Sequence, residues 1–106
     1  MLSASEKLAL AKHVSNIDVS HMSVVFDALG EPNRCLIFRA LLKDPRASVG
    51  DLASVVGISA PLASQHLKIL LQAGLLVRRK EGKSVYYTIN YDDALAVALH
   101  KTVEGA

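Results

Sequence analysis

Hydrophobic residues between positions 48 and 76 follow two helical periods separated by a glycine. Ser48 and Asp51 form a capping-box pattern, which predicts a helix of about two turns that ends at Gly57. The next period predicts a second helix from Ala60 to about Ala73. Its apolar stripe consists of Ala63, Leu67, Leu70 and Leu71. Two short helices around a turn glycine are the helix-turn-helix pattern, although an ordinary pair of crossing helices has the same signature.

The other face of the second helix is polar and has little to bury. Such a face needs a polar partner, and the major groove of duplex DNA is the usual partner of a helix-turn-helix. Gln65 is of a type that pairs with adenine, and Ser59 lies where the first N–H groups of a helix meet phosphate. The residues of this region that we expect at DNA are Ser59, Ala60, Pro61, Ser64, Gln65, His66 and Lys68.

Residues 77–89 are rich in Val, Tyr, Thr and Ile on both sides of Gly82-Lys83, which predicts a β-hairpin. The chain carries a net charge of +2, but residues 60–91 alone carry +4 because Glu81 is their single acidic residue. The hairpin cations that we expect to meet a phosphate backbone are Arg78, Arg79, Lys80 and Lys83. A solvated edge strand that resists aggregation would carry similar residues.

Together these motifs resemble winged helix-turn-helix repressors of the arsenic-repressor (ArsR/SmtB) type. The resemblance covers roughly residues 24–89 and is carried by ALGEPNR at 28–34, SQHLK at 64–68, AGLL at 73–76 and VYY at 85–87. It implies a mainly α fold with a small β-hairpin, which dimerises through its first and last helices. It also implies a transcriptional regulator that represses by binding an inverted-repeat operator in double-stranded DNA. His66, the motif histidine, is expected to buttress the second helix.

The two ends of the chain are predicted to supply the dimer contacts. Residues 1–16 are interpreted as an N-terminal helical extension, and residues 17–106 as the winged helix-turn-helix domain with a C-terminal dimerisation helix. That helix is predicted from Tyr91 to about Val103 and is apolar on every side from Ala94 to Leu99, so it needs more than one covering surface, unless its own subunit covers it. The expected interface residues are Met22, Val25, Phe26, Leu95, Leu99 and Val103. The pattern leaves open whether residues 3–29 form one bent helix or two.

A catalytic interpretation has no support in the motifs. There is no glycine-rich phosphate loop, no paired carboxylates in a motif and no nucleophile beside a base, so we expect neither enzymatic activity nor a cofactor. Both metal-sensing patterns of the resembled family are missing, and no metal site is expected. Three alternatives stay open: a metal response through His100 and Glu104, an oxidant response through Cys35, and a winged-helix module that binds protein.

The composition favours a cytoplasmic protein of one compact domain. The chain has 106 residues, of which 51% are hydrophobic, and this surplus suggests a partner chain. The longest apolar runs fall well below the roughly 18 residues of a membrane span, and the N-terminus lacks a signal-peptide pattern. Cys35 is the single cysteine and cannot form an intrachain disulfide, which fits a reducing compartment.

Overall fold

The computed structural model describes residues 1–104, with side chains described as far as Val103. Within this range six helices and one antiparallel pair of strands follow each other along the chain. They are α1 (Ala4–Val14), α2 (Val19–Leu29), α3 (Pro32–Lys43), α4 (Val49–Val56), α5 (Ala60–Gln72), β1 (Leu76–Glu81), β2 (Ser84–Ile89) and α6 (Ala94–Glu104). This confirms the predicted mainly α fold with a small hairpin. None of the described helices has the length and apolarity needed to cross a bilayer.

The two helices of the predicted helix-turn-helix, α4 and α5, begin and end through local interactions. The N–H of Asp51 donates to Ser48 Oγ and the N–H of Ser48 donates to Asp51 Oδ2, each at 3.0 Å, so the capping box is complete. Gly57 ends α4 with φ 82°. A residue with a Cβ atom would be strained in this left-handed conformation. Ser59 then caps α5 by accepting the N–H of Leu62 at 3.2 Å.

Helix α3 forms the centre of the core, because it packs against α2, α4, α5, β2 and α6. Its residues Ile37, Phe38 and Leu41 are at most 1% exposed. Leu67 and Leu70 of α5 reach the same cluster and are fully buried. The position of α5 in the molecule is therefore fixed by apolar packing on one side only.

The N-terminal region consists of two helices, which settles the alternative that the pattern left open. Helix α1 ends at Val14, and Asp18 starts α2 by accepting the N–H of His21 at 3.1 Å. No residue of α1 is buried, and the described chain extends over 59 Å in its longest direction. Helix α1 is thus held by its own capping box at Ser3 and Glu6 rather than by the core.

The last helix begins at Ala94 and not at Tyr91, which corrects the predicted start. Asp93 is its cap, since Asp93 Oδ1 accepts the N–H groups of Leu95 and Ala96 at 2.9 and 3.0 Å. Asn90 holds the preceding turn by accepting the N–H of Asp92 at 3.1 Å. The pattern of aspartates marked the helix start correctly to within one turn, but did not show which of them is the cap.

Candidate nucleic-acid interface

Helix α5 has one buried and one open face. Ala63, Leu67 and Leu70 have no exposed surface and hold the helix against α3 and its neighbours. The open face carries the exposed residues Ala60, Pro61, Gln65, Lys68 and Gln72, with Ser64 half-buried at its edge. The polar face that the sequence predicted therefore makes no packing contacts within the described chain. It is accessible to a ligand whose groove is as wide as the helix.

Two apolar residues on one flank of this face were missed by the sequence interpretation. Leu62 and Ile69 are 38% and 39% exposed, although their residue types favour burial. They lie seven residues apart and so occupy the same side of α5. Leu62 is next to the first-turn residues and can offer methyl groups to a thymine methyl in a major groove. Its position between the buried and the polar stripes could have identified it in the sequence.

The first turn of α5 offers fewer free N–H groups than its position suggests. Pro61 has no N–H, and the N–H of Leu62 is taken by Ser59 Oγ. The N–H of Ala63 closes the first helical hydrogen bond to the Ser59 carbonyl at 2.9 Å. Within the described chain this leaves the N–H of Ala60 as the open first-turn donor for an anion, together with the Ser59 hydroxyl.

His66 lies on the inner side of α5 and is 8% exposed. Its Nδ1 is 3.3 Å from Arg34 Nη1, and its Nε2 is 3.8 Å from Glu31 Oε2. The same Glu31 oxygen caps α3 by accepting the N–H of Arg34 at 2.9 Å. His66 is therefore in contact with the interior and not with the open face, in the geometry of a buttress and not of a groove contact.

The hairpin directs its cations to two opposite faces. In the strand register Arg78 pairs with Tyr87 and Lys80 with Val85. Both cations therefore lie on one face of the hairpin, and the end of this face away from the tip is buried. Arg79 points the other way. Its guanidinium carbon lies 5.7 Å from the centre of the Tyr86 ring, and its Nε is 3.2 Å from Glu81 Oε1.

All three hairpin cations and Lys83 at the tip are exposed. A phosphate backbone on one side of the hairpin can contact either Arg78 and Lys80 together or Arg79. It cannot contact all three side chains equally well. Lys83, at the turn, is accessible from either side. The basic run in the sequence thus overstates the charge that one side of the hairpin presents.

Two contacts lie close together beyond the C-terminal end of α5: one joins Gly74 to the loop before α6, and the other joins α2 to the cap of α6. Asn90 Nδ2 donates to the carbonyl of Gly74 at 3.0 Å, and His21 Nε2 lies 2.6 Å from Asp93 Oδ2. Gly74 has φ 85°, and a Cβ added there would lie 3.4 Å from His21 Cε1 and 3.6 Å from Asp93 Oδ2. We call these four residues the α5 junction.

Acid should weaken the α5 junction through Asp93. Partial burial raises the pKa of Asp93, but the N–H of Ala96, the His21 ring and the N–H of Leu95 together lower it more, so this pKa lies below its ordinary value of 3.8. The unfolded chain therefore takes up this proton more readily than the folded one. The resulting stability is complete above the ordinary value and is lost as the pH falls through the lower pKa of the folded state.

Asp93→Asn should accordingly flatten the acid dependence of the free energy of unfolding as the pH falls below about 5. Urea unfolding at a series of pH values measures this slope. Asp92→Asn is the matched control, because it removes a carboxylate from the exposed neighbouring residue and leaves the contacts of Asp93 in place. Equal slopes for Asp93→Asn and the unmodified chain would contradict the prediction.

The expected dimer surface divides into buried and open positions. Val25 is fully buried and packs in the core of its own subunit, so it cannot reach a partner. Phe26 is 52% exposed, and Met22, Leu95, Leu99 and Val103 are partly exposed. Val97, which was not among the expected residues, is 48% exposed on α6. A groove of about 290 Å³ connects the α2 and α6 parts of this surface and includes Met22, Leu95 and Ala98 in its lining.

The metal and redox alternatives concern His100, Glu104 and Cys35. Among the described residues no three His, Cys, Asp or Glu side chains form a group that could hold a metal ion. The His100 ring lies 6.3 Å from the Tyr91 ring, and the side chain of Glu104 lies outside the described residues. Cys35 is a half-buried free thiol on α3.

Known proteins resemble this chain in sequence and in fold. The family model of bacterial regulatory proteins of the arsR family matches residues 31–77. The cadmium resistance transcriptional regulatory protein CadC of Listeria innocua is 34% identical over 76 residues, which are 72% of this chain and 64% of CadC, so the match spans just under two thirds of that protein. The transcriptional repressor SdpR of Bacillus subtilis is 39% identical over 69 residues, which are 65% of this chain and 76% of SdpR.

The fold is also similar to that of a solved homodimer. The homodimeric winged helix-turn-helix DNA-binding domain of Mb0332 from Mycobacterium bovis aligns with a TM-score of 0.70 and 27% identity. The alignment covers 99% of this chain and 87% of that domain. The similarity therefore includes the terminal helices as well as the region from α3 to β1 that the family model matches.

Proposed function

This chain belongs to the arsR family of bacterial regulatory proteins, and from that membership we propose that it is a sequence-specific transcriptional regulator that binds duplex DNA as a homodimer. In this proposal it represses transcription from an inverted-repeat operator. The observation that carries the proposal is the open polar face of α5, which stands on a fully buried apolar face and beside a basic hairpin. A buried inner face holds the helix rigidly, while the open face has no protein partner in the described chain.

The open face of α5 enters a major groove in this proposal. Gln65 is exposed near the middle of the helix and can make two hydrogen bonds to the N6 and N7 edge of adenine. Ser64 and Lys68 flank it by one and three residues and can contact bases or phosphates. Lys83 and the hairpin cations neutralise phosphates, which supplies affinity without sequence information.

Two subunits are needed because an inverted repeat presents two half-sites. Recognition helices of such dimers lie about one helical turn of DNA apart, roughly 34 Å. The surface that we propose for the dimer contact consists of Met22, Phe26, Leu95, Val97, Leu99 and Val103. The similar Mb0332 domain is homodimeric, which supports a homodimer for this chain.

The remaining functional proposals concern location and activity. We propose a cytoplasmic protein, because the regulated DNA lies there in bacteria, and a protein without enzymatic activity, because its family consists of regulators. Residues 1–16 act as an extension to the domain that begins at residue 17, which is supported by the absence of buried residues from α1.

Gln65→Ala and Lys83→Ala test the proposal by affecting binding differently. Gln65→Ala should weaken operator binding by about 1–3 kcal/mol and leave binding to random duplex unchanged, because it removes a base contact. Lys83→Ala should weaken both and reduce the slope of log affinity against log salt by about one unit. Fluorescence anisotropy with a selected operator and a random duplex at several salt concentrations measures both effects.

The comparison of operator and random duplex decides the outcome. Equal losses on the two duplexes for Gln65→Ala would remove its base-reading role. Failure of the unmodified dimer to bind any duplex in a salt-dependent manner would remove the proposed function itself and favour the protein-binding alternative.

A further inference from the structure

Arg34 connects three helices through one side chain. Its Nε donates to the carbonyl of Ala28 in the last turn of α2 at 2.6 Å, and its Nη1 lies 3.3 Å from His66 Nδ1 in the middle of α5. Its backbone belongs to the first turn of α3, where Glu31 Oε2 accepts its N–H. We call these contacts the Arg34 bridge.

The chemistry of guanidinium fixes the state of His66 in the Arg34 bridge. A guanidinium group has only donors, so His66 Nδ1 must be the acceptor and its proton must be on Nε2. The Nε2–H then lies on the side of Glu31, whose Oε2 is 3.8 Å away. Because His66 is almost completely buried, water cannot readily replace Arg34 as its partner.

The bridge joins the two parts of the protein whose relative orientation matters for an operator. Helix α2 carries Phe26 on its open side, in the surface proposed for the dimer. Helix α5 carries Gln65, the neighbour of His66, on the face proposed for DNA. The α5 junction holds the C-terminal end of α5 at Gly74, and the Arg34 bridge holds its middle. The two contacts therefore hold α5 at different points along its length.

We propose that Arg34 and His66 are positioning residues that set the angle between α5 and the dimer surface, and thereby determine which half-site spacing the dimer accepts. This inference rests on the proposed DNA-binding function. Neither side chain touches DNA in it, since His66 is buried and Arg34 bonds inward. When the angle of α5 is fixed in both subunits, the dimer can place its two α5 helices in two major grooves at one half-site spacing only. If α5 can pivot, the dimer accepts neighbouring spacings as well.

The test uses the dimer of the 106-residue chain and a series of inverted repeats. The half-sites are first selected with the unmodified protein, and the spacer is then changed by one and two base pairs in either direction. Arg34→Lys should lose the bridge, because a single ammonium group cannot reproduce the planar fork that reaches both Ala28 and His66. His66→Leu removes the acceptor of the Arg34 bridge. His66→Asn places an oxygen near the position of Nδ1 and should therefore keep an acceptor for Arg34.

We expect Arg34→Lys and His66→Leu to weaken binding at the preferred spacing by about tenfold, comparable to the loss of one base contact. Binding at the neighbouring spacings should fall less, so that the preference becomes flatter. His66→Asn should keep the profile of the unmodified protein. Ile37→Val is the control for stability, because Ile37 is a buried apolar residue of α3, the helix that carries Arg34. This substitution should leave the ratio of the affinities at different spacings unchanged.

The ratio between spacings separates positioning from folding. A loss of stability lowers the folded fraction and scales the affinity for all spacers by the same factor, and such uniform losses in Arg34→Lys would overturn the inference. If Arg34→Lys does not fold, the His66 pair decides: identical profiles for His66→Leu and His66→Asn would also overturn it. Unmodified protein that binds no inverted repeat would instead refute the proposed function and the inference together.

Discussion

Replacing Phe26 by aspartate should convert the dimer into monomers and weaken operator binding by about 100- to 10,000-fold, because binding of the second half-site then no longer benefits from its link to the first. Phe26 is half exposed on α2 and belongs to the surface proposed for the partner. An aspartate there would have to lose its hydration among the apolar side chains of this surface, which is costly. Sedimentation measures the mass, and anisotropy measures the binding.

Val55→Asp is the matched control for this substitution. Val55 is 76% exposed on α4, away from the proposed dimer surface. Its substitution likewise replaces an apolar side chain by a carboxylate. It should remain dimeric and keep most of its affinity. A Phe26→Asp variant that sediments as a folded dimer would place the interface elsewhere and leave the open faces of α2 and α6 without the assigned role.

Phe38→Ala should lower the free energy of unfolding by about 3–5 kcal/mol. Phe38 is a large, fully buried residue of α3, the helix that packs against five other elements. A loss of this size is a large share of the roughly 5–15 kcal/mol that stabilises a typical domain. Since α5 rests on α3, we expect operator binding to decline in parallel with the folded fraction.

Leu36→Ala provides the comparison on the same helix. Leu36 is 49% exposed, so the same kind of truncation should cost only about 1 kcal/mol. Urea unfolding followed by circular dichroism measures both variants. Equal losses at the two positions would contradict the assignment of Phe38 to the centre of the core.

Much of the local structure could be predicted because its causes lie within a few residues. The capping box of Ser48 and Asp51, the cap at Ser59 and the turn at Gly82-Lys83 each involve residues at most three positions apart. These features set where the helices and strands begin and end. The open face of α5 followed from helical periodicity in the same way.

The contacts between distant parts of the chain could not be predicted from spacing. His66 is 32 residues from Arg34, and His21 is 72 residues from Asp93. Only the packing of α2, α3, α5 and α6 brings these groups together. The same cause explains Val25, because the apolar pattern of α2 does not distinguish the side that faces its own core from the side that is left open.

The division of α5 into an inward and an outward half has a consequence for divergence among related regulators. The inward residues Ala63, His66 and Leu67 determine whether the helix stands in place, and changes there carry a penalty in folding. Pro61, Gln65 and Lys68 are exposed, and substitutions at such sites typically alter stability by no more than about 0.5 kcal/mol. Mutation can therefore exchange the outward residues almost neutrally with respect to folding, so that descendants of one scaffold acquire different operators without passing through unstable intermediates.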